Sequence, residues 1–295
     1  MKIFEFIKLN NIFKNFLILI PFLVAGENIN RESLLIFGEA FIIFFFLTTC
    51  CYIINNFTDR KIDKINELKK NKYFPETKKV FKIFFIFFSL FLLAVFYFKS
   101  FNNYFLYLYI LNFILYNFYF KHILLIDILF LTNFYLIRIL YGIQIFDLNF
   151  SSGFFIFFLT IFLCLSLGKR IIQINVNGLE KENRIIPYSI KNKVYLKKFF
   201  LFFLSINYLT FLIFFIENLN FITIDTNFFL NIKDYNNLEI LFLLIFYSLL
   251  ILRLFFFISK DLIKKDIYEH LLKDKITIFL LFFTIGLLIF NLLTS

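Results

Sequence analysis

Asn55, Asp59 and Asp63 recur every four residues in the stretch NNFTDRKIDKINELKKNKYFP, which runs from 55 to 75. On a helix this step puts the three side chains on one face, about 6 Å apart along the axis. Two carboxylates and an amide offer hard oxygen ligands. That is the donor class of Mg²⁺, which usually takes one or two carboxylates and completes its shell with substrate phosphates and water. Lys61, Lys64, Lys69, Lys70 and Lys72 follow at once and could meet phosphate oxygens. The same spacing also suits a solvated segment at the end of a membrane span, where i,i+4 charges only support a helix end. Taken alone, the stretch leaves both readings open.

A second group of charges sits where charge is costly. ILLIDILFLTNFYLIRILYG, from 123 to 142, carries Asp127 and Arg138 inside an apolar run. Ionisable residues in a membrane span are expensive and default to functional hypotheses. The two lie eleven residues apart, close to three turns, so they share a side about 16 Å apart along the axis. A direct salt bridge is out of reach, and each needs its own partner in a polar cavity. Arg138 is long enough to snorkel to the outer interface instead, whereas Asp127 is too short. Tyr116 and Lys121 precede this run, Gly168-Lys169-Arg170 closes the next one, and Lys14-Asn15 opens the first. Carboxylates for a metal with cations for phosphate oxygens describe chemistry in which a diphosphate leaves. His122 and His270 read as a helix-end and a loop residue.

The elements that must position these residues follow from composition. The chain has 295 residues, is 61% hydrophobic and has a mean hydropathy of +0.83. Globular chains sit near 45–50% apolar, so this is an all-α integral membrane protein with several helical spans. Nine apolar runs appear, at 13–26, 34–54, 80–97, 103–120, 123–142, 153–168, 199–216, 238–258 and 276–294. The fourth and fifth are divided only by Lys121 and His122, which reads as a tight hairpin. Phe is extreme at 53 residues and Trp is absent. Abundant Phe, Ile, Asn and Lys look like a bias toward A- and T-rich codons, so a lone Lys or Asn carries little weight, while Asp, Arg, Pro and Gly carry more. Cys50, Cys51 and Cys164 fall inside apolar runs and read as small buried hydrophobes. The basic, amphipathic N-terminal stretch is not followed by a small-residue cleavage site.

Charge orients the bundle. With the N-terminus inside, 27 of the 31 basic residues lie on the cytoplasmic side, as the positive-inside rule requires. This pattern accounts for the net charge of +11 without a nucleic-acid partner. The cytoplasmic loops at 55–79, 169–198 and 259–275 are polar and charged. The outer loop at 217–237 is weakly acidic and Asn-rich, suited to the membrane surface. A single transmembrane domain over 1–295, its active-site loops at 55–79 and 169–198, is the expected organisation.

NNFTDRKID resembles the first Asp-rich motif of the UbiA prenyltransferase superfamily, NDxxDxxxD. The chain is more specifically similar to one branch, the decaprenyl-phosphate phosphoribosyltransferases. IFKNFLILIP (12–21) resembles that branch's opening WIKN block, and TTCCYIINNFTDRKID (48–63) its SSxxYxxNDxxDxxxD. YNFYFKHILLID (116–127) with LIRILYG (136–142) resembles YxxxxKHxxxxDV with LRxxxG. LSLGKR (165–170) resembles LALGKR, and LLKDK (271–275) the LLxDR before the last span. Three departures stand out. Asn56 replaces the Asp at the motif's second position, NELKKNKYFP replaces a HPxKxxRP continuation, and Ile171 and Gln173 stand where the branch has Arg and Glu.

The resemblance implies a nine-helix bundle in a bacterial inner membrane, with its site facing the cytoplasm. The implied reaction moves 5-phosphoribose from phosphoribosyl diphosphate to a polyprenyl phosphate, with Mg²⁺ as cofactor. Asn55, Asp59 and Asp63 would hold the metal. Lys14, Lys69, Lys72, Lys169 and Arg170 would meet phosphates, Lys121 the lipid phosphate or ribose 5-phosphate, and Asp127 a second metal or the ribose hydroxyls. Tyr116 and Arg138 would line the substrate site. A homo-oligomer is compatible with such a bundle. The alternative is an ordinary UbiA enzyme moving a prenyl group from a prenyl diphosphate. It predicts a second Asp-rich motif between the sixth and seventh spans, yet 169–198 contains no Asp. A transporter without catalysis ranks last, because the charges gather at one face.

Overall fold

The computed structural model describes residues 6–7, 9–25, 29–60, 63, 73–177, 190–218, 235–263, 270 and 273–294. Lys69, Lys72 and most of the 217–237 loop lie outside the described residues. The described residues form helices and connecting turns, with no strand. Each of the nine apolar runs falls on a helical segment. Six helices among the described residues are long and apolar enough to cross a membrane, and shorter apolar helices accompany them. Large apolar side chains cover the outside, including Phe85 (61% exposed), Leu93 (63%) and Phe282 (74%), whereas Asn15, Asp127 and Asn207 are fully buried. That inverted distribution is what a lipid solvent selects, because polar groups must then find partners inside.

The chain divides into two compact units. In the first, a lead-in 3₁₀ helix spans Leu9–Ile18. It is followed by α1 (Arg31–Thr58), α2 (Thr77–Tyr97), α3 (Tyr104–Leu115) and α4 (Ile126–Ile145). A capping box starts α1: Ser33 N–H donates to Asn30 Oδ1 at 2.7 Å, and Asn30 N–H donates back to Ser33 Oγ at 3.0 Å. Such caps satisfy amides that the first turn leaves open. The core of the unit gathers Ile43, Phe44 and Leu47 of α1, Phe91 and Val95 of α2, Tyr109 and Phe113 of α3, and Tyr141 of α4.

Gly142 shows how tightly α4 meets the lead-in. A Cβ at this position would run into the Ile18 carbonyl oxygen and lie 3.0 Å from its carbonyl carbon. A backbone obstacle cannot rotate away, so Gly142→Ala should lose about 1–3 kcal/mol of stability, the usual cost of overpacking. Gly38→Ala is the control, because nothing lies within 4 Å of its Cβ position. Thermal unfolding in detergent should show a lower midpoint for the first variant alone; equal midpoints would mean the two elements separate without cost.

The second unit holds α5 (Ser152–Asn177), α6 (Ile190–Asn218), α7 (Tyr235–Ser259) and α8 (Lys275–Thr294). Helices α5 and α6 run well past the apolar spans read from the sequence. The 169–198 loop is therefore helical at both ends, since no Gly or Pro occurs between Lys169 and Asn177. Buried Asn207 donates to Thr160 Oγ1 and to the Phe157 carbonyl, both at 3.0 Å, and accepts from the Tyr247 hydroxyl at 2.5 Å. At the start of α8, Arg253 grips Asp274 with Nε at 2.7 Å and Nη2 at 2.6 Å, and Asp274 Oδ2 caps the Thr277 amide at 2.9 Å. The Arg253 hydrogen bonds hold the Asp274 carboxyl well below the usual carboxylate range, against the opposing effect of burial. Asp261 accepts from Asn175 (2.8 Å), Lys193 (2.7 Å) and Lys197 (2.9 Å). Burial pushes its carboxyl up, and these hydrogen bonds outweigh burial and bring it down overall.

Candidate active site

The Asp-rich stretch begins on the last turn of α1. Asp59 caps that helix, and its amide donates to the Asn55 carbonyl at 2.9 Å. The same i→i+4 bonding carries on to Asp63, whose amide donates to the Asp59 carbonyl at 2.7 Å. The four-residue register read from the sequence is therefore present, and Asp63 is buried. Asn56 sits one position out of that register. It is buried and donates through Nδ2 to the Phe6 carbonyl at 2.5 Å. An Asp here could not make that bond when ionised. The departure from the motif thus anchors the N-terminal segment.

The partners of Asp59 come from the connection after α3. There the α-helix widens into one π-helical turn, Tyr116–Phe120, closed by the Lys121 amide donating to the Tyr116 carbonyl at 3.0 Å. Single π turns recur at functional sites. This one turns Asn117 and Lys121 toward the end of α1. The Lys121 ammonium is ion-paired with Asp59 Oδ2 and lies 6.0 Å from the centre of the Tyr116 ring. Asn55 Nδ2 donates to Asp59 Oδ2 at 3.2 Å and to Asn117 Oδ1 at 3.1 Å. Thr58 Oγ1 lies 3.2 Å from the same Asn117 oxygen.

Asn55, Asp59, Tyr116 and Lys121 are therefore brought together as the sequence suggested, and Asn117 and Thr58 join them. The sequence had a faint signal for Asn117: it lies between Tyr116 and Lys121 inside the quoted block, but Asn is too common in this chain to stand out. Asp127 is fully buried in the first turn of α4. Lys14 Nζ stands 5.7 Å from the centre of the Tyr135 ring. In the second unit, Lys169 and Arg170 lie within α5, and Arg170 Nη1 donates to Gln173 Oε1.

Arg138 is enclosed by protein partners. It is 1% exposed, so it does not snorkel to an interface. Nε donates to Asn15 Oδ1 at 3.0 Å, Nη2 to the Tyr109 hydroxyl at 2.9 Å, and Nη1 to the Phe134 carbonyl. Asn15 in turn donates to Thr48 Oγ1 at 3.3 Å. The guanidinium thus ties the lead-in, α1, α3 and α4 into one polar knot.

The donor set at Asp59 suits a hard divalent cation. Asp59 and Asp63 lie one helical turn apart along the backbone, and a cation, the Lys121 ammonium, already rests on Asp59 Oδ2. With Nδ2 of Asn55 turned to Asp59 and Asn117, its amide oxygen is the atom it could offer a metal. Among the described residues no group of three or more His, Cys, Asp or Glu side chains forms a complete cage. An Mg²⁺ site shared with phosphates needs only one or two carboxylates.

Helices long and apolar enough to cross a membrane, with polar groups buried between them, define an integral membrane protein of the helical class. The model of the UbiA prenyltransferase family matches residues 16–168, and the chain belongs to that family. A solved structure of digeranylgeranylglyceryl phosphate synthase in membranes superposes with a TM-score of 0.59 over 99% of this chain and 98% of that one, at 17% identity. This likeness shows the shared fold. No curated protein sequence matches the chain.

Proposed function

We propose that the protein transfers 5-phosphoribose from phosphoribosyl diphosphate to a polyprenyl phosphate and releases diphosphate. The observation that carries the reading is the docking of Lys121 onto Asp59. It joins the KH…D block, which resembles the phosphoribosyltransferase branch, to the Asp-rich motif that the whole superfamily shares. An oxygen of the lipid phosphate attacks the anomeric carbon of the ribose as the bond from that carbon to the diphosphate oxygen breaks. The nucleophile is already anionic, so no strong general base is required.

Asp59 and Asp63, with the Asn55 amide oxygen, would hold Mg²⁺, which would neutralise charge on the leaving diphosphate. Lys121 lies where it can exchange its contact with Asp59 for one with a phosphate oxygen. Buried Asp127 is proposed for the ribose hydroxyls or a second metal, and Tyr116 lines the approach to Lys121. Lys14, Lys69, Lys72, Lys169 and Arg170 enter the proposal as phosphate-binding cations on sequence position alone. Arg138, with its three nitrogens turned to protein partners, is better explained as architecture than as a substrate contact. The charge pattern supports a site facing the cytoplasm, in a bacterial inner membrane.

The second reading, prenyl transfer from a prenyl diphosphate to an aromatic or other acceptor, draws on the family match. One assay separates the two. Protein in detergent, with Mg²⁺ and a polyprenyl phosphate, is given labelled phosphoribosyl diphosphate, and in parallel labelled prenyl diphosphate with an aromatic acceptor. Label from phosphoribosyl diphosphate should appear in the lipid; incorporation from prenyl diphosphate alone would overturn the proposal.

A further inference from the structure

We infer that Asn117 is a ligand-binding residue, whose side-chain amide donates a hydrogen bond to a phosphoryl oxygen beside Lys121. The inference deepens the functional proposal and rests on its diphosphate chemistry, though not on which diphosphate donor is used.

The argument starts from a fixed acceptor. An ionised carboxylate only accepts hydrogen bonds. The Asn55 atom facing Asp59 Oδ2 at 3.2 Å must therefore be the NH₂ group, which fixes which way the Asn55 amide points. The same NH₂ group then meets Asn117 at 3.1 Å, so Asn117 must present its oxygen there. Thr58 stands on that oxygen too. The Asn117 NH₂ group is consequently forced to the opposite side. There it is buried and has no hydrogen-bond partner among the described residues. The side chain as a whole is 8% exposed.

A buried donor without an acceptor is rare in native structures and calls for a reason. Here the reason is its neighbourhood. The π turn presents Asn117 and Lys121 four residues apart, and Lys121 is engaged on the carboxylate of the same cluster. A neutral donor next to an ammonium and a cation-suited carboxylate fits an anionic oxygen: the donor adds direction while the ammonium supplies charge. That oxygen belongs either to the diphosphate or to the lipid phosphate, and both present the same chemistry.

Two variants separate donation from charge. Asn117→Asp keeps the oxygen that holds Asn55 and Thr58 but replaces the donor with a second acceptor. Asn117→Leu removes the donor without adding charge, and with it the oxygen that Asn55 and Thr58 meet. Binding of inorganic diphosphate and of a short polyprenyl phosphate is measured by calorimetry in detergent with Mg²⁺, alongside unfolding midpoints. Both variants should bind one of the two probes about tenfold or more weaker, as expected for losing a hydrogen bond to a charged oxygen. Asn117→Asp should keep the wild-type midpoint. A loss confined to diphosphate assigns the oxygen to the leaving group; a loss confined to the lipid assigns it to the acceptor. The inference is overturned if both variants bind both probes as wild type does, if only Asn117→Asp is weakened, or if wild type binds neither. The donor assay can fail while this binding difference persists, so the two proposals fall separately.

Discussion

Asp59→Ala should abolish transfer while leaving the helices intact. Asp59 is tied to both other parts of the cluster, through Asn55 at 3.2 Å and through the Lys121 ion pair. Removing it takes away the proposed metal ligand, the acceptor that orients Asn55, and the anion that positions Lys121. Charge stabilisation by a metal is worth several kcal/mol at the transition state, and about 4 kcal/mol corresponds to about a thousandfold in rate. Turnover with saturating Mg²⁺ should therefore fall by about a thousandfold or more. Circular dichroism and the unfolding midpoint should stay near wild type, because Asp59 ends α1 rather than supporting its packed interior. Activity retained within tenfold would sink the metal-site assignment.

Arg138→Met should act in the opposite way, on the fold before the chemistry. Met fills similar length but donates nothing. The Asn15 oxygen, the Tyr109 hydroxyl and the Phe134 carbonyl would each lose a charged donor. Leaving a buried polar group unmatched costs about 1–3 kcal/mol, and removing one member of a buried charged cluster typically costs about 3–5 kcal/mol. A loss of about 3–5 kcal/mol is expected, read by thermal unfolding in detergent and by faster amide exchange in residues 9–18. Arg138→Lys should not restore it, since one ammonium lacks the planar fork that meets three acceptors. Normal stability with lost activity would instead return Arg138 to the substrate site.

The helices and the register of the Asp-rich stretch were legible because they depend on patterns repeated along the chain. Apolar runs of span length and a four-residue step leave little choice once the solvent is lipid. The joining of Lys121 to Asp59 was legible only as two motifs that occur together, since nothing in the spacing gives a contact across 62 residues. Asn117 was hidden by composition. Arg138 was read as either a functional charge or a snorkelling one, and it is buried with its nitrogens on protein partners. Its partners Asn15 and Tyr109 lie 123 and 29 residues away, and only the packing of the lead-in brings the first of them within reach. The lead-in itself read only as part of the first apolar run, with no sign that it would be a 3₁₀ helix.

That helix type sets a ruler. Three residues of a 3₁₀ helix rise about 6 Å and return to the same side. Four residues of an α-helix rise about 6 Å and nearly do so. Asn15 and Ile18 are three apart on the lead-in, and the positions they meet, Arg138 and Gly142, are four apart on α4. The two elements are thus commensurate, one counting in threes and the other in fours. An α-helical lead-in would advance only about 4.5 Å over the same three residues and swing Ile18 away from Gly142. The segment can accept new side chains on its lipid face, where Phe13 points. It cannot accept a change of length: one residue inserted between Asn15 and Ile18 turns the second contact by about 120°, and the two contacts can no longer be made together.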